Sequence, residues 1–387
     1  MKKEEELNGV MPFAYGKIAE NKDFAGRDKD IEHLITNFKG HVNTTIISPR
    51  RWGKTSLVQH VLTMLSKDKK YYTAQVDIFN CRTEEQFFNT YVNAIMKATA
   101  TKFDAFTQAV KQYLGSFGPK FSVSDDGQKV DFSVALDFHD KNYSIDDILD
   151  LPQRIATDKK KKFIVCIDEF QTVNEYDDPI GFQRKLRAHW QLHNSVSYCL
   201  YGSKRHMLMD IFGNYEMPFY RFGDIMFLDK IPEDVMSKFV VKRFKDTGKT
   251  ISTKLATELV RMVALHPYYI QQLAQQSWLR TTDVCSEDII KSACESIVAQ
   301  LSLLFSNLMD SLTPKQINFL YAIIDGVDNF SSTEVLKKYN LGTSANIKNL
   351  RNALVSRDIV DLMPGKKMEI QDPMFVHWLK GLTRPIQ

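Results

Sequence analysis

The sequence predicts an α/β fold in which a parallel sheet lies between layers of helices and is followed by two smaller, mainly helical domains. Short apolar runs of strand length alternate with helical patterns before residue 230, which is typical of a doubly wound parallel sheet. After Ile231 the periodicity is helical, and a pattern of three helices and a hairpin begins near residue 306. These observations predict domains at residues 1–229, 230–305 and 306–387.

The predicted strands of the sheet are short apolar runs. They lie at residues 45–47, 72–79, 163–167, 196–201 and 225–228. The run at residues 163–167 has no alternating polar residue, as expected of a strand that is buried on both faces. Asp126-Gly127 lies between two alternating segments and predicts a hairpin insertion at about residues 115–140, which we interpret as a solvated decoration.

Composition narrows the class of protein. The chain has 387 residues, of which 43% are hydrophobic and 25% are charged, as in ordinary soluble globular proteins. A net charge of +4 permits an acidic partner such as nucleic acid without arguing for one. The five cysteines are scattered and show neither a C-x-x-C pair nor metal-ligand spacing, which favours a reducing compartment.

Membrane association is not expected. The first six residues are too polar and acidic for a signal peptide. No uninterrupted apolar run reaches membrane-spanning length. We therefore expect a soluble, cytoplasmic protein with no membrane partner.

Residues 48–55 match the phosphate-binding pattern G-x-x-x-x-G-K-[ST] except at the first position. Together with the next residue they read Ser48, Pro49, Arg50, Arg51, Trp52, Gly53, Lys54, Thr55 and Ser56. In such a loop, backbone N–H groups surround the phosphates, the lysine reaches the outer phosphates and the hydroxyl binds Mg²⁺. Lys54 and Thr55 are the candidates for these roles, and Gly53 lets the backbone approach closely. Ser48 is compatible with the turn if its φ is negative. A chance Gly-Lys-Thr at a helix start is the alternative.

Two carboxylates, Asp168 and Glu169, follow the apolar run at residues 163–167. Ligands bind at the carboxyl ends of strands in open α/β sheets. Asp168 is the candidate for holding Mg²⁺, on a strand that we expect to be adjacent to the one before Lys54. Glu169 is the candidate for polarising an attacking water. A solvated acidic turn is the alternative, but the pairing with the Lys54 motif favours nucleotide binding.

The last 82 residues predict a winged helix-turn-helix: three helices, then a hairpin across Pro364-Gly365. This segment has 10 Lys and Arg against 8 Asp and Glu, a weak positive balance for a DNA-binding domain. Lys348, Arg351 and Arg357, on or just after the third helix, are candidates for contacts to DNA phosphates. A solvated helix face explains them equally well.

With these motifs, the chain resembles the archaeal-type ATPase family, a branch of the AAA+ and STAND P-loop NTPases. The resemblance extends over nearly the whole chain. It is carried by residues 24–28, 48–56, 72–77, 167–171, 201–203, 266–270 and 372–379. It implies a P-loop NTPase domain that uses ATP and Mg²⁺, a helical lid and a C-terminal winged helix. The family normally has glycine where Ser48 stands.

The resemblance implies further site residues. Gly26 and Arg27 match a segment beside the adenine or the loop under it, and Ser203 matches the polar sensor at the end of the strand next to the acidic one. His266 and Pro267 resemble the G-x-P element of the lid, without its glycine. The plain alternative is that a proline at a helix start is ordinary.

Arg221 stands where AAA+ proteins place an arginine finger that acts on a neighbouring subunit, which implies nucleotide-dependent homo-oligomers. Arg187 and Arg205 compete for this role. A surface or interface arginine is the alternative for Arg221.

The leading functional hypothesis is an ATP-dependent molecular switch with slow turnover. ATP and Mg²⁺ would bind between the ATPase domain and the lid, and hydrolysis to ADP would move the lid and the winged helix. A DNA-binding regulator or initiator-like ATPase is the second hypothesis. A winged helix that binds a protein client or inhibits its own ATPase is the third. A small-molecule kinase is disfavoured by Phe170-Gln171 after the carboxylates and by the appended domains.

Overall fold

The computed structural model describes residues 11–100, 102–125, 130–138, 144–362 and 367–382. The chain forms two compact units. The sheet unit comprises Arg27–Arg50 and Lys54–Asp229. The helical unit comprises Arg51–Gly53 and the described parts of Met1–Gly26 and Lys230–Gln387. The division into three domains remains a prediction.

The sheet unit is built on five parallel strands. These are β1 (Thr44–Ile47), β2 (Tyr71–Asp77), β5 (Lys162–Asp168), β6 (Val196–Gly202) and β7 (Asp224–Phe227). An antiparallel pair, β3 (Lys120–Asp125) and β4 (Val130–Ala135), lies outside this sheet. The strand order is β2-β5-β6-β1-β7. Every residue of β6 is buried, and so is every residue of β5 after Lys162, which explains the uninterrupted apolar run at residues 163–167. The predicted parallel sheet is confirmed.

The strand order corrects one prediction. β5, which carries Asp168, is not adjacent to β1, because β6 lies between them. Parallel pairing nevertheless brings the carboxyl ends of these three strands to one edge, since Ile47 pairs with Gly202 and Ile167 with Leu200. A loop after β1 and a side chain at the end of β5 therefore meet across the end of β6.

Eight helices are described in the sheet unit. They are α1 (Asp28–Lys39), α2 (Lys54–Leu65), α3 (Glu84–Thr99), α4 (Phe103–Leu114), α5 (Ile145–Leu149), α6 (Leu151–Lys159), α7 (Pro179–Trp190) and α8 (Arg205–Gly213). Short 3₁₀ turns lie at Gly115–Phe117 and Phe170–Glu175. Buried apolar faces of α3 to α8 join Phe163 and Val165 of β5 in one core, as amphipathic helices on a sheet require.

The β3–β4 hairpin packs on α3. The side chain of Asn93 donates to the carbonyl of Val134 at 2.7 Å and accepts from its N–H at 2.8 Å. Val134 is 2% exposed. The insertion is therefore docked at one end instead of being wholly solvated. The turn predicted at Asp126-Gly127 lies outside the described residues.

Eight helices are also described in the helical unit. They are α9 (Glu233–Lys245), α10 (Thr253–Met262), α11 (Pro267–Arg280), α12 (Glu287–Asp310), α13 (Pro314–Ile324), α14 (Thr333–Lys338), α15 (Ser344–Val355) and α16 (Pro373–Gly381). The helix α12 runs without a break through the boundary predicted at residue 305.

The C-terminal part of this unit has the predicted winged-helix pattern. The helices α13, α14 and α15 are followed by the antiparallel strands β8 (Val360–Leu362) and β9 (Met368–Ile370). A capping box between Thr313 and Gln316 begins α13, which explains why the sequence starts a helix there. The turn predicted at Pro364-Gly365 lies outside the described residues.

The described N-terminal segment belongs to the helical unit. The N–H groups of Phe13 and Ala14 donate to the side chains of Gln275 and Gln271 on α11, at 3.2 and 2.8 Å. Buried Arg243 of α9 pairs with Asp23 at 2.7 Å. These contacts fix the segment to α9 and α11.

One helix in the described part of the chain, α12, is long and apolar enough to cross a membrane by length and composition. Polar residues such as Gln300, Ser302 and Asn307 interrupt its apolar run. Ile297 and Phe305 of this helix are buried in the core of the helical unit, whereas Leu303 and Leu304 are exposed. Of the 18-residue window that meets these criteria, 28% is buried.

Candidate active site

The loop after β1 has a backbone shaped for close approach of an anion. Arg51 and Gly53 have φ values of 61° and 86°, in the left-handed region that glycine tolerates best. Ser48 is not among the residues with positive φ, so it satisfies the condition under which serine can replace the first glycine. Ser48 is buried, and α2 begins at Lys54 as predicted. The N–H groups at the start of α2 therefore face the loop as in a P-loop.

Lys54 is buried inside this loop. Its ammonium donates to the carbonyl oxygens of Ser48 at 3.2 Å and Pro49 at 2.8 Å. Burial lowers the pKa of Lys54 to about 8, against the opposing attraction of Asp168 and Glu169. A buried ammonium held only by neutral carbonyls is poised to bind an anion.

Thr55 on α2 and Asp168 at the end of β5 are in contact, although β6 separates β5 from β1, the strand that leads to α2. The Thr55 hydroxyl donates to Oδ2 of Asp168 at 2.9 Å. Burial raises the pKa of Asp168 to about 6; the Thr55 hydrogen bond opposes this shift, and the like charge of Glu169 adds to it. A hydroxyl and a carboxylate are suitable ligands for Mg²⁺, and a cation would offset the burial of the charge. No group of three or more His, Cys, Asp or Glu arranged to hold a metal lies in the described ranges. A Mg²⁺ here would therefore also use phosphate oxygens and water.

Glu169 follows the last residue of β5 and is held by donors from Ser203, just after β6, and Gln171, in the turn after β5. Its own backbone is left-handed, with φ 57°. Its Oε2 accepts hydrogen bonds from the hydroxyl and N–H of Ser203, at 2.9 and 3.3 Å, and from the side-chain amide of Gln171. The structure thus brings Lys54, Thr55 and Asp168 together with Glu169 and Ser203, whose roles were predicted separately.

Other residues of the loop differ in exposure. Arg50 and Arg51 are exposed, whereas Trp52 and Ser56 are buried. Within the helical unit, the Arg51 guanidinium lies 4.5 Å from the ring centre of Tyr268. The loop residues of the helical unit are therefore in contact with the start of α11.

The turn before α11 carries the predicted lid residues. His266 is 7% exposed and precedes Pro267, the first residue of α11. Its ring packs edge-on against Trp52, with 6.4 Å between ring centres. The two preceding residues, Ala264 and Leu265, have φ values of 51° and 59°. The backbone therefore adopts here the conformation that a glycine, as in the G-x-P element, would adopt without strain.

Gly26 and Arg27 have structural partners. The guanidinium of Arg27 donates to Asp30 at 3.0 Å and to the carbonyl of Asp229 at 2.7 Å, and burial lowers its pKa. Gly26 has φ 66°, and a Cβ there would lie 2.8 Å from Ile231. These contacts explain both residues as backbone organisers, and their role beside a base remains a prediction.

The three candidate arginine fingers differ in exposure. Arg221 is exposed, with φ 52°, and lies 5.2 Å from the ring centre of Tyr220. Arg187 and Arg205 are half-buried, and each lies over a phenylalanine ring. Arg221 is thus the most accessible of the three to a neighbouring subunit.

The basic residues of the winged helix are not equivalent. Lys348 is exposed on α15, and Arg351 is half-buried. Arg357 donates to the carbonyl of Ser311 at 3.1 Å and also to its hydroxyl. Lys348 is therefore the one of these three residues that is most available to a phosphate.

Sequence reasoning assigned no role to Gln171 or to the pair Tyr269–Asp372. Gln171 was visible as the fifth residue of the segment 167–171 that carries the family resemblance. The Tyr269 hydroxyl donates to Oδ2 of Asp372 at 2.6 Å, over a separation of 103 residues. No sequence signal marks such a long-range pair.

Comparison with known structures identifies the fold. A Walker-type ATPase of Pyrococcus abyssi is 16% identical, with a TM-score of 0.67, and the match covers 96% of this chain and 100% of that one. The ORC2 protein of Aeropyrum pernix, in ADPNP–ADP complexes, is 13% identical, with a TM-score of 0.58 and coverage of 95% and 96%.

Sequence comparisons add one family. The family described as "Probable winged helix domain" matches residues 303–381. No curated protein matches the chain by sequence. The chain therefore shares the fold of this Walker-type ATPase and of this ORC2 protein, with a parallel sheet between helices followed by a helical region and a winged helix.

Proposed function

We propose that this protein is an ATP-binding molecular switch that hydrolyses ATP slowly and couples its nucleotide state to the lid and winged helix. The observation that carries the proposal is the convergence of Lys54, Thr55, Asp168, Glu169 and Ser203 at one edge of the sheet. These groups supply an ammonium, two oxygen ligands, a carboxylate base and a polar sensor, which are the parts that phosphoryl transfer to water requires.

The chemistry of each group follows from its surroundings. Lys54 would exchange the carbonyls of Ser48 and Pro49 for outer phosphate oxygens. Thr55 and Asp168 would hold Mg²⁺, which when bound neutralises phosphate charge. Glu169 would orient a water and accept its proton while the water oxygen bonds to the γ-phosphorus and the bond to the bridging oxygen breaks. Ser203 would then donate to the γ-phosphate.

Contacts within the helical unit support the coupling to the winged helix. Arg51 and Trp52 touch Tyr268 and His266. The ring of His266 lies 5.0 Å from that of Tyr269, whose hydroxyl binds Asp372 at the start of α16. Side chains in contact thus connect Arg51 and Trp52 of the loop with the start of α16, so that a change at the loop can alter the position of this helix.

Hydrolysis without an added acceptor tests the proposal. The wild type should release phosphate slowly, Lys54→Ala should bind ATP much more weakly and should not hydrolyse it, and Glu169→Gln should bind without hydrolysing. Phosphate release that is equal in all three proteins would refute it. Transfer to a small molecule, with none to water, would favour a kinase.

Assembly is tested separately by light scattering of the wild type and Glu169→Gln, with and without ATP. Nucleotide-dependent growth in mass supports the proposed homo-oligomer and the role of Arg221 in trans. A monomer under every condition would leave Arg221 without a subunit to act on.

An initiator-like, DNA-binding role is the second candidate. It is favoured by the exposed Lys348 and by the absence of acidic residues from α15. The commitment of Arg357 to Ser311 favours instead a winged helix that binds a protein client. A salt titration of DNA binding separates them, because several phosphate contacts give a steep slope.

A further inference from the structure

Gln171 is a buried polar residue placed beside Glu169. It lies in the 3₁₀ turn Phe170–Glu175 that follows β5, and it is 3% exposed. Its side-chain N–H₂ donates to Oε2 of Glu169. Its Oε1 is buried and has no hydrogen-bond partner among the described residues. An unpaired buried amide oxygen destabilises the folded protein.

Gly202 makes room for this side chain. A Cβ at Gly202 would lie 1.9 Å from Oε1 and 3.0 Å from Cδ of Gln171. The end of β6 and the turn after β5 therefore approach so closely that the Gln171 amide fills the space that any other residue at position 202 would need.

Neighbouring rings hold the turn in place. Phe170 is fully buried, and its ring centre lies 5.8 Å from that of Phe212 and 5.2 Å from that of Phe219. The residue next to Gln171 is thus anchored in the core of the sheet unit. The packing of Phe170 therefore holds the backbone from which the Gln171 side chain extends.

Packing alone does not explain a glutamine here. A methionine has a similar shape and would avoid the unpaired oxygen, and this gain would offset the loss of the hydrogen bond to Glu169, so the glutamine brings little net stability. Polar groups kept at a cost to stability are expected at functional sites. The partner that Gln171 does have is the candidate base.

On the basis of the proposed hydrolysis, we infer that Gln171 is a positioning residue that fixes the Glu169 carboxylate for activation of water. Gln171 and Ser203 place all three hydrogen bonds on Oε2 of Glu169. The other oxygen, Oε1, is then the one that faces the water and takes its proton. When the γ-phosphate engages the Ser203 hydroxyl, the Gln171 amide keeps Glu169 in place.

Gln183 provides a matched control in the same unit. It is fully buried, its amide donates to Asn174 at 2.8 Å, and its Oε1 also lacks a partner among the described residues. It differs from Gln171 in that its partner is not the candidate base.

The experiment compares Gln171→Met and Gln183→Met with the wild type in kcat, KM, ADP affinity and thermal unfolding. Gln171→Met should lower kcat by about 10- to 100-fold, the usual effect of removing a group that orients another. Its ADP affinity and KM should stay within about 3-fold, and its melting temperature should stay close to that of the wild type. Gln183→Met should keep the wild-type kcat.

Gly202→Ala tests the contact independently. It should lower kcat because it displaces the Gln171 side chain. The double variant Gln171→Ala/Gly202→Ala should have nearly the same kcat as Gln171→Ala alone. Wild-type kcat in Gln171→Met, or equal losses in Gln171→Met and Gln183→Met, would overturn the inference. If the wild type does not hydrolyse more ATP than Lys54→Ala does, the proposed function itself fails.

Discussion

Replacing Tyr269 by phenylalanine tests whether the winged helix responds to the nucleotide site. The change removes only the hydroxyl that donates to Oδ2 of Asp372 at 2.6 Å. Tyr269 is 3% exposed, and burial, followed by the charge of Asp372, raises its pKa. The hydroxyl is therefore a permanent donor to a carboxylate.

The stability lost in Tyr269→Phe depends on the hydrogen bonds that Asp372 keeps. Its Oδ1 still accepts the N–H groups of Met374 and Phe375, at 2.8 and 3.2 Å, so the carboxylate keeps its capping role. A hydrogen bond to a charged group contributes about 1.5–3 kcal/mol, and the remaining partners place the loss near the lower end. A loss of about 1.5 kcal/mol would release α16 from α11 about tenfold more often.

Tyr339→Phe is the matched control. The Tyr339 hydroxyl donates to Asp325 at 2.8 Å, and both residues lie within the winged-helix segment. This change removes a similar bond from the same unit without touching α11 or α16. Both variants should therefore lose similar amounts of stability.

The assay is amide exchange at Met374 and Phe375 with and without ADP or a non-hydrolysable ATP analogue. In the wild type and in Tyr339→Phe, the exchange rates should depend on the nucleotide. In Tyr269→Phe they should be fast and independent of it. Nucleotide-dependent exchange of wild-type size in Tyr269→Phe would refute the reasoning, and so would the absence of any dependence in the wild type.

Three further predictions follow from single residues. The pKa of Asp168 is raised to about 6 in the folded protein. Burial of this carboxyl group therefore lowers the free energy of unfolding as the pH rises from about 4 to above 6. At pH 7.5, Asp168→Asn should therefore raise the free energy of unfolding by up to about 3 kcal/mol and raise the melting temperature with it. Thermal unfolding near pH 4 should show no difference between the two proteins. Ala264→Gly should stabilise the protein by about 1 kcal/mol in denaturant titration, because φ is 51° there, and a loss of stability would contradict this. If DNA is the partner, Lys348→Ala should reduce the salt slope of binding by about 1, whereas Arg357→Ala, whose side chain is held by Ser311, should change it less.

Much of the sheet was predictable because its signal is local. The apolar runs and the Gly53-Lys54-Thr55 helix start correspond to β1, β2, β5, β6, β7 and α2 of the structure. The neighbours of each strand were not predictable, since an apolar run does not encode the order in which strands pair. That is why Asp168 was expected beside β1 although β6 separates them.

The sequence predicted the site residues whose type indicates their chemistry, and the structure added a residue that is recognised only from its position. Asp168 and Glu169 are ionisable groups at the end of a strand, and Lys54 is an ionisable group at the start of a helix, where a pattern search finds them. Gln171 became informative only through its contact with Gly202, which pairing between distant segments creates. The N-terminal segment shows the same limit, because its attachment to Gln271 and Gln275 depends on folding over 250 intervening residues.

The most direct test of the central claim is an equilibrium titration of ATP, with and without Mg²⁺, into the wild type, Lys54→Ala and Asp168→Asn. The claim predicts saturable binding to the wild type that Mg²⁺ strengthens. Lys54→Ala should weaken binding by about 10- to 100-fold or more, as expected for loss of a buried charged hydrogen bond. Asp168→Asn should lose the Mg²⁺ dependence while still binding ATP. Equal affinity in all three proteins, or no binding to the wild type, would contradict the claim that Lys54 holds the triphosphate and Asp168 its metal.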